Sequence, residues 1–242
     1  MHYYFITGTS RGIGKALAEY ALQQEQTMVI GFSRQQSIRH SRYIHRSLDL
    51  SNINMLRQQV SSVFSELADP ERIVLINNAG TLGDVKYFGD IDDARIDQTF
   101  SLNITAPAIL MNHFIRTYQS SAAERILINI SSGVSQYAVD GWSGYCASKA
   151  ALDMLTEVAA LELEKRAVSN FRVYAVAPGI VDTQMQTDIR DVNEEDFSRL
   201  QKFKSYKQDG ALNDPHHTAE KYFYLINHPE HFKNVRQDVR EF

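Results

Sequence analysis

Cysteine is almost missing from this chain: Cys146 is the only one among 242 residues. An internal disulfide is excluded, and the usage suits a reducing compartment; beside Tyr145, Cys146 reads as a small buried apolar residue. No apolar run reaches the ~18 residues that a membrane-spanning helix requires. A signal peptide is not expected either, because His2-Tyr3-Tyr4-Phe5-Ile6-Thr7 runs straight into a glycine loop. Positive charge is not in excess: the formal net charge is −4, which leaves no basic footprint for nucleic acid or an anionic membrane. Repeats, low-complexity tracts and linkers are also absent. What remains is 43% hydrophobic and 22% charged, an ordinary composition for a globular chain long enough to bury one large α/β core. The expectation is a soluble, cytoplasmic protein with a single domain over residues 1–242.

Apolar runs alternate with helix-period segments along the whole chain. Strands are expected at 3–7, 28–32, 44–48, 72–76, 125–130 and 171–176, and helices at 13–24, from Ser51 to about Phe64, 96–118 with a kink at Pro107, and 143–165. The strand runs are aliphatic and β-branched without polar alternation, the mark of parallel strands buried on both faces. The fold class is therefore α/β, a doubly wound Rossmann-type parallel sheet of about six or seven strands with helices on both faces. Ligands in such sheets bind beyond the carboxyl ends of the strands, where Gly8–Gly14, Asn77–Gly80, Ser131–Gly133 and Pro178–Thr183 all fall. Residues 183–212 are polar and aperiodic, and read as a mobile segment on the substrate side.

Gly8, Gly12 and Gly14 join the first strand to the first helix. Bare backbone at these positions lets a pyrophosphate approach the helix N-terminus, whose free N–H groups and dipole favour an anion; a tight strand-to-helix turn is the alternative. Ser10, Arg11 and Ile13 lie in the same loop. At the end of the second strand, where an acidic residue would grip a ribose hydroxyl, the chain has Ser33-Arg34, with Arg34 20 positions after Gly14. Arg34, with Arg11, would instead pair with a 2′-phosphate, which favours NADP(H) unless both are solvated surface charges.

Tyr145 and Lys149 are four residues apart on one helix face. A phenol is a weak acid at neutral pH, and a cation held beside it would lower its pKa toward the useful range. On the pair alone, a packed tyrosine and a solvated lysine are the more ordinary explanation of the pattern.

Thr7-Gly8-Thr9-Ser10-Arg11-Gly12-Ile13-Gly14, Asn77-Asn78-Ala79-Gly80, Ser132, Tyr145-x-x-x-Lys149 and Pro178-Gly179 together resemble the short-chain dehydrogenase/reductase family. The resemblance covers nearly the whole chain. Residues 141–154, 178–185 and 238–242 look most like its sepiapterin reductase and bacterial benzil reductase branch. It implies a carbonyl reductase in which Tyr145 is the proton donor and Lys149 lowers its pKa and holds the nicotinamide ribose. Ser132 polarises the carbonyl, and Asn103 supports a water beside Lys149; Ser131 is the alternative to Ser132, and Asn103 has a reading as a packing amide. By position, Asp49, Leu50, Asn77, Ala79 and Gly80 would line the adenosine side, Asn77 having a structural role as its alternative, and Pro178, Gly179, Val181 and Thr183 the nicotinamide. Trp142 and Met185, with Tyr137 and Phe203, would wall the substrate unless they are core. Asp238 matches a carboxylate that anchors a pteridine, or else is a surface acid. The implied partners are a small carbonyl substrate and a second copy of the chain, as homodimer or homotetramer through the long helix and the Tyr145 helix. No metal is expected: His216, His217, His228 and His231 lack supporting carboxylate or cysteine ligands. A 3-oxoacyl reductase, an alcohol dehydrogenase and a non-catalytic NADP(H)-binding regulator are the rival readings. The first usually ends in a glycine-rich Val-Asp-Gly-Gly segment that is missing here, and the last typically lacks the tyrosine or lysine.

Overall fold

Tyr4 and Ile6 point to one face of the first strand and Tyr3 and Phe5 to the other, and all four are buried. That two-sided burial recurs in the inner strands of the sheet in a computed structural model that describes residues 1–242. The strands are His2–Thr7 (β1), Thr27–Ser33 (β2), Tyr43–Ser47 (β3), Arg72–Asn77 (β4), Glu124–Ile130 (β5), Phe171–Ala177 (β6) and Arg236–Asp238 (β7). They form one parallel seven-stranded sheet in the order β3-β2-β1-β4-β5-β6-β7. The direction of winding reverses between β1 and β4, and a crevice opens there at the strands' carboxyl ends.

Helices Gly12–Gln23 (α1) and Pro215–Asn227 (α8) cover the face that carries Tyr4, Ile6, Val74, Ile128 and Val176. On the opposite face lie Ile53–Val63 (α2), Ala106–Tyr118 (α4) and Ser143–Lys165 (α5), packed on Tyr3, Phe5, Leu75 and Leu127. A smaller apolar cluster beyond the strand ends joins Leu82, Val134, Val139, Trp142 and Tyr145 to Ile189, Phe197 and Leu200. The doubly wound expectation holds, with β7 as the seventh strand. No helix is long and apolar enough to cross a membrane.

Two expectations change. The helix expected at 96–118 starts earlier, at Asp93, where the Asp92 carboxylate caps Ala94 N at 2.8 Å. It is split into Asp93–Phe100 (α3) and α4 by a π-helical turn at Ser101–Thr105. Pro107 withholds the N–H that the Asn103 carbonyl would accept in a regular helix, so the distortion falls one turn before the proline rather than at it. Residues 183–212 are not irregular. They form Gln184–Arg190 (α6) and Leu200–Gln208 (α7), pinned by the buried Ile189, Phe197 and Leu200. Asp140 ties the link between them, accepting from Ser198 N at 2.8 Å and Ser198 Oγ at 2.9 Å.

Candidate active site

The glycine loop is built for close approach. Gly8 and Gly12 adopt φ of +73° and +57°, the left-handed region that costs a residue with a Cβ about 1–2 kcal/mol. At Gly14 the constraint is space: a Cβ there would lie 2.3 Å from Asn78 Nδ2 and 2.4 Å from the Gly8 carbonyl oxygen. Thr7 and Asn78, to which the sequence motifs assign no role, clamp the loop to the turn after β4. Asn78 N and Ala79 N both donate to Thr7 Oγ1 at 2.9 Å, and Asn78 Nδ2 donates to the Thr7 carbonyl at 2.9 Å. Helix α1 has no side-chain cap and no acid in its first turn, so its leading N–H groups are free for a phosphate. Ser10 is half-buried in the loop, Ile13 lines the cleft, and Thr183 Cγ2 lies 3.3 Å from where a Gly12 Cβ would stand. These residues fit a dinucleotide.

At the adenosine end, Arg11 and Arg34 are exposed. Ser33 Oγ donates to the Gln35 carbonyl at 2.8 Å and meets His45 Nε2 at 3.1 Å, so β2 ends without a carboxylate. Asp49 is half-buried, its Oδ1 accepting from Ser51 N and Oγ. Two side chains turn into the interior. Leu50 is buried in the α2–α4 core, because its side chain falls on the apolar face of the sheet. Asn77 is turned into the interior, where its Nδ2 donates to Asn129 Oδ1 at 2.9 Å and Asn129 donates in turn to Thr156 Oγ1 at 2.7 Å. A polar side chain pointing inward from a central strand must find such a partner. Its role here is structural.

Ser132, Tyr145 and Lys149 converge beyond β5. Ser132 and Tyr145 border the cleft, whereas Ser131 is buried with its hydroxyl donated to Asp153 Oδ1. Lys149 is buried, donates Nζ to the Ile130 carbonyl at 2.7 Å, and sits 5.7 Å from the Tyr145 ring centroid. The Asn103 amide is fully engaged. Oδ1 accepts from Thr81 N at 2.9 Å, while Nδ2 donates to the Thr81 carbonyl at 2.8 Å and to Ser148 Oγ at 3.0 Å. Ser148 Oγ donates to the Tyr145 carbonyl at 2.8 Å. The π turn is therefore stitched to the β4 turn and to α5 beside Gly80, where a Cβ would come 3.9 Å from Lys149 Nζ.

The electrostatics correct one expectation. Despite the nearby Lys149, burial pushes Tyr145 up to about 12, with the Ser132 hydroxyl opposing. Burial also brings Lys149 down to about 8, opposed by the Asp153 carboxylate one turn away on α5. Removing a large cluster of water costs each charged form more than the neighbour returns. The phenol is held neutral, the state a proton donor requires. Lys149 keeps its charge below about 8 and loses it above, so ketone reduction is expected to decline as pH rises through that value. Asp153→Asn removes the carboxylate that favours the ammonium, so the alkaline limb of kcat/KM should move to lower pH. An unmoved limb in the pH–rate profile would show that Asp153 does not act on Lys149.

The cleft has a volume of ≈ 330 Å³. Pro178, Gly179, Val181 and Thr183 form one side and Trp142, Met185, Tyr137 and Phe203 another, with Asp238 also on its surface. Trp142 stacks on Phe197 at 5.1 Å and meets Tyr145 edge-on at 5.7 Å. Asp238 carries an unexpected partner: Arg240 donates to its carboxylate through N at 2.9 Å, Nε at 2.8 Å and Nη2 at 2.5 Å. These hydrogen bonds hold its pKa below the usual range despite partial burial. The histidines stay apart from this site, and no group of three His, Cys, Asp or Glu side chains is placed to hold a metal ion.

A dinucleotide loop, a neutral phenol beside a serine, and a buried lysine on one sheet edge define a nicotinamide-dependent oxidoreductase of CH–OH and C=O groups. The short chain dehydrogenase family model matches residues 3–194, and the chain belongs to that family. It is 31% identical over 245 residues to the benzil reductase ((S)-benzoin forming) of Bacillus subtilis, with all of both chains covered. It is also 34% identical to the sepiapterin reductase of Mus musculus, with 91% of this chain and 89% of that one covered. Among solved structures, the KRED1-Pglu enzyme superposes with a TM-score of 0.82 at 24% identity, covering 98% of this chain and 100% of that one. That likeness concerns the fold.

Proposed function

We propose that this chain is an NADPH-dependent carbonyl reductase acting on ketones, diketones or the side-chain carbonyl of a pteridine. The observation that carries the reading is the neutral, buried Tyr145 phenol beside Ser132 at the cleft. A cofactor bound along Gly8–Gly14 supplies a hydride at the nicotinamide. The Ser132 hydroxyl donates to the carbonyl oxygen and polarises it. Tyr145 then delivers the proton as the oxygen becomes an alkoxide. Lys149 stabilises the charge left on the phenol, and Asn103 positions the β4 turn and α5 around both. Ala79 and Gly80 border the ribose, while Pro178, Gly179, Val181 and Thr183 keep the nicotinamide face dry. The test is loss of reduced-nicotinamide absorbance across a panel of diketones and pteridines. No ketone-dependent loss would overturn the reading.

Arg34 and Arg11, exposed at the adenosine end with no carboxylate closing β2, support NADPH over NADH. Arg34→Glu should reduce the NADPH preference by about ten- to a hundredfold, the worth of a hydrogen bond to a charged group. Side-by-side KM values for the two cofactors check this, and an unchanged ratio counts against it. Self-association follows the same reading: Met154, Val158 and Leu161 are exposed on α5 at 54%, 43% and 50%, a stripe at helical spacing. Leu161→Glu should shift the protein toward the monomer in light scattering. A wild type already monomeric at micromolar concentration would refute that part.

A further inference from the structure

The substrate cleft is cationic in a protein of net charge −4. Four charged side chains line it: Arg199, Lys202, Arg240 and Asp238. Asp238 and Arg240 neutralise one another through the two-pronged contact already described. The other ion pair nearby joins Lys207 to Asp182. Arg199 and Lys202 take part in neither. Arg199 instead lies 5.8 Å over the Tyr137 ring and Lys202 5.8 Å over the Tyr206 ring, both rings belonging to the cleft wall. Arg199 precedes α7 and Lys202 is in its first turn, a spacing of three that sets them on one helix face. Arg199 is half-buried and Lys202 exposed at the cleft's border.

A second feature points the same way. Trp142 lines the cleft, is 5% exposed, and its Nε1–H has no acceptor. A buried donor without a partner costs about 1–3 kcal/mol unless a water or a ligand satisfies it. Two uncompensated cations and an orphaned donor ask for an acceptor with negative charge.

We infer that the preferred substrate is a ketone that also carries a carboxylate, held by Arg199 and Lys202 while its carbonyl faces Ser132 and Tyr145. This rests on the carbonyl reductase reading and names its substrate class. The aromatic wall would take the apolar part of the molecule, with Trp142 and Phe203, whose rings are 5.3 Å apart, between the proton donor and the cationic face.

The test uses the aryl keto acid 4-oxo-4-phenylbutanoate and its neutral primary amide, which share every heavy-atom position but one charge. Binding is measured by titration calorimetry with oxidised NADP saturating, so that reduction cannot run, and kcat/KM with NADPH. The acid should bind about ten- to a hundredfold more tightly than the amide, the worth of hydrogen bonds to a charged group. That ratio should fall with ionic strength. In the Arg199→Gln/Lys202→Gln protein the ratio should collapse toward one. Equal binding of acid and amide by the wild type, or a ratio that survives the double substitution, overturns the inference. A neutral diketone separates this failure from that of the parent reading. If it is reduced while acid and amide bind alike, only the substrate class is wrong; if no ketone is reduced, the reductase reading fails.

Discussion

Tyr145→Phe lowers kcat for ketone reduction by about 10²–10⁴-fold, the usual contribution of a positioned general acid, while the affinity for NADPH stays close to that of the wild type. The split follows from the surroundings. The ring is buried against Trp142 at 5.7 Å, and phenylalanine keeps that contact. The glycine loop is clamped by Thr7 and Asn78 without help from the phenol. Only the proton is lost. The neighbouring Ser132 hydroxyl cannot replace it, being far too weak an acid. Steady-state kinetics paired with a cofactor titration reads the outcome. Equal losses in turnover and in NADPH affinity would mean that Tyr145 acts through the binding site and not through proton transfer.

Gly14→Ala is the second large effect, and it acts at the other end of the cleft. The new methyl group would lie 2.4 Å from the Gly8 carbonyl oxygen and 2.3 Å from Asn78 Nδ2. One neighbour is backbone and the other is fixed by its bond to the Thr7 carbonyl, so neither yields without moving the loop. Overpacking of this kind costs about 1–3 kcal/mol, or roughly 2–12 °C in Tm for a chain of this size. Displacing Gly8 and Asn78 also closes the space over the α1 N-terminus, so dinucleotide affinity should fall by more than tenfold, a threshold of about 1.4 kcal/mol. Gly133→Ala is the stability control, because nothing lies within 4 Å of its Cβ position. Thermal denaturation and cofactor titration check both proteins. A Gly14→Ala protein as stable and as tight-binding as the wild type would contradict the close-packed loop.

The sheet was legible because its central strands are buried on both faces and carry little polar alternation, as in Arg72–Asn77 and Glu124–Ile130. The edge strand β7 was not. Arg236-Gln237-Asp238 has no apolar residue and is defined by pairing with Ala175–Ala177, a contact 61 residues away in sequence (236 − 175). Helix α8 did carry a signal, with Asp214 as cap, Pro215 at its start and Tyr222, Phe223, Leu225 and Ile226 inward. Its histidines drew attention away from that pattern. For α6 and α7, local sequence is too polar to announce a helix, and three buried apolar side chains supply what periodicity does not.

Within the candidate site, the spacing of Tyr145 and Lys149 and the position of Ser132 were readable, since helix and strand geometry bring them to one edge. Burial was not. It is the loss of water that raises Tyr145 and lowers Lys149, against the simple expectation of a lysine activating its neighbour. Asn103 was readable as a position, but not the way its amide is consumed by Thr81 and Ser148. The Asp238–Arg240 pair was overlooked although the two residues are adjacent but one. A carboxylate read in isolation looks unpaired; with a guanidinium two positions on, it has a partner.

The most direct measurement follows the hydride itself. NADPH carrying deuterium on the transferable position of its nicotinamide is incubated with the protein and a diketone, and the hydroxyketone is analysed by mass spectrometry. The account predicts one deuterium on the new carbinol carbon, formed in step with cofactor oxidation and suppressed in Tyr145→Phe. Cofactor oxidation without label in the product, or no ketone-dependent oxidation with any diketone, would contradict it.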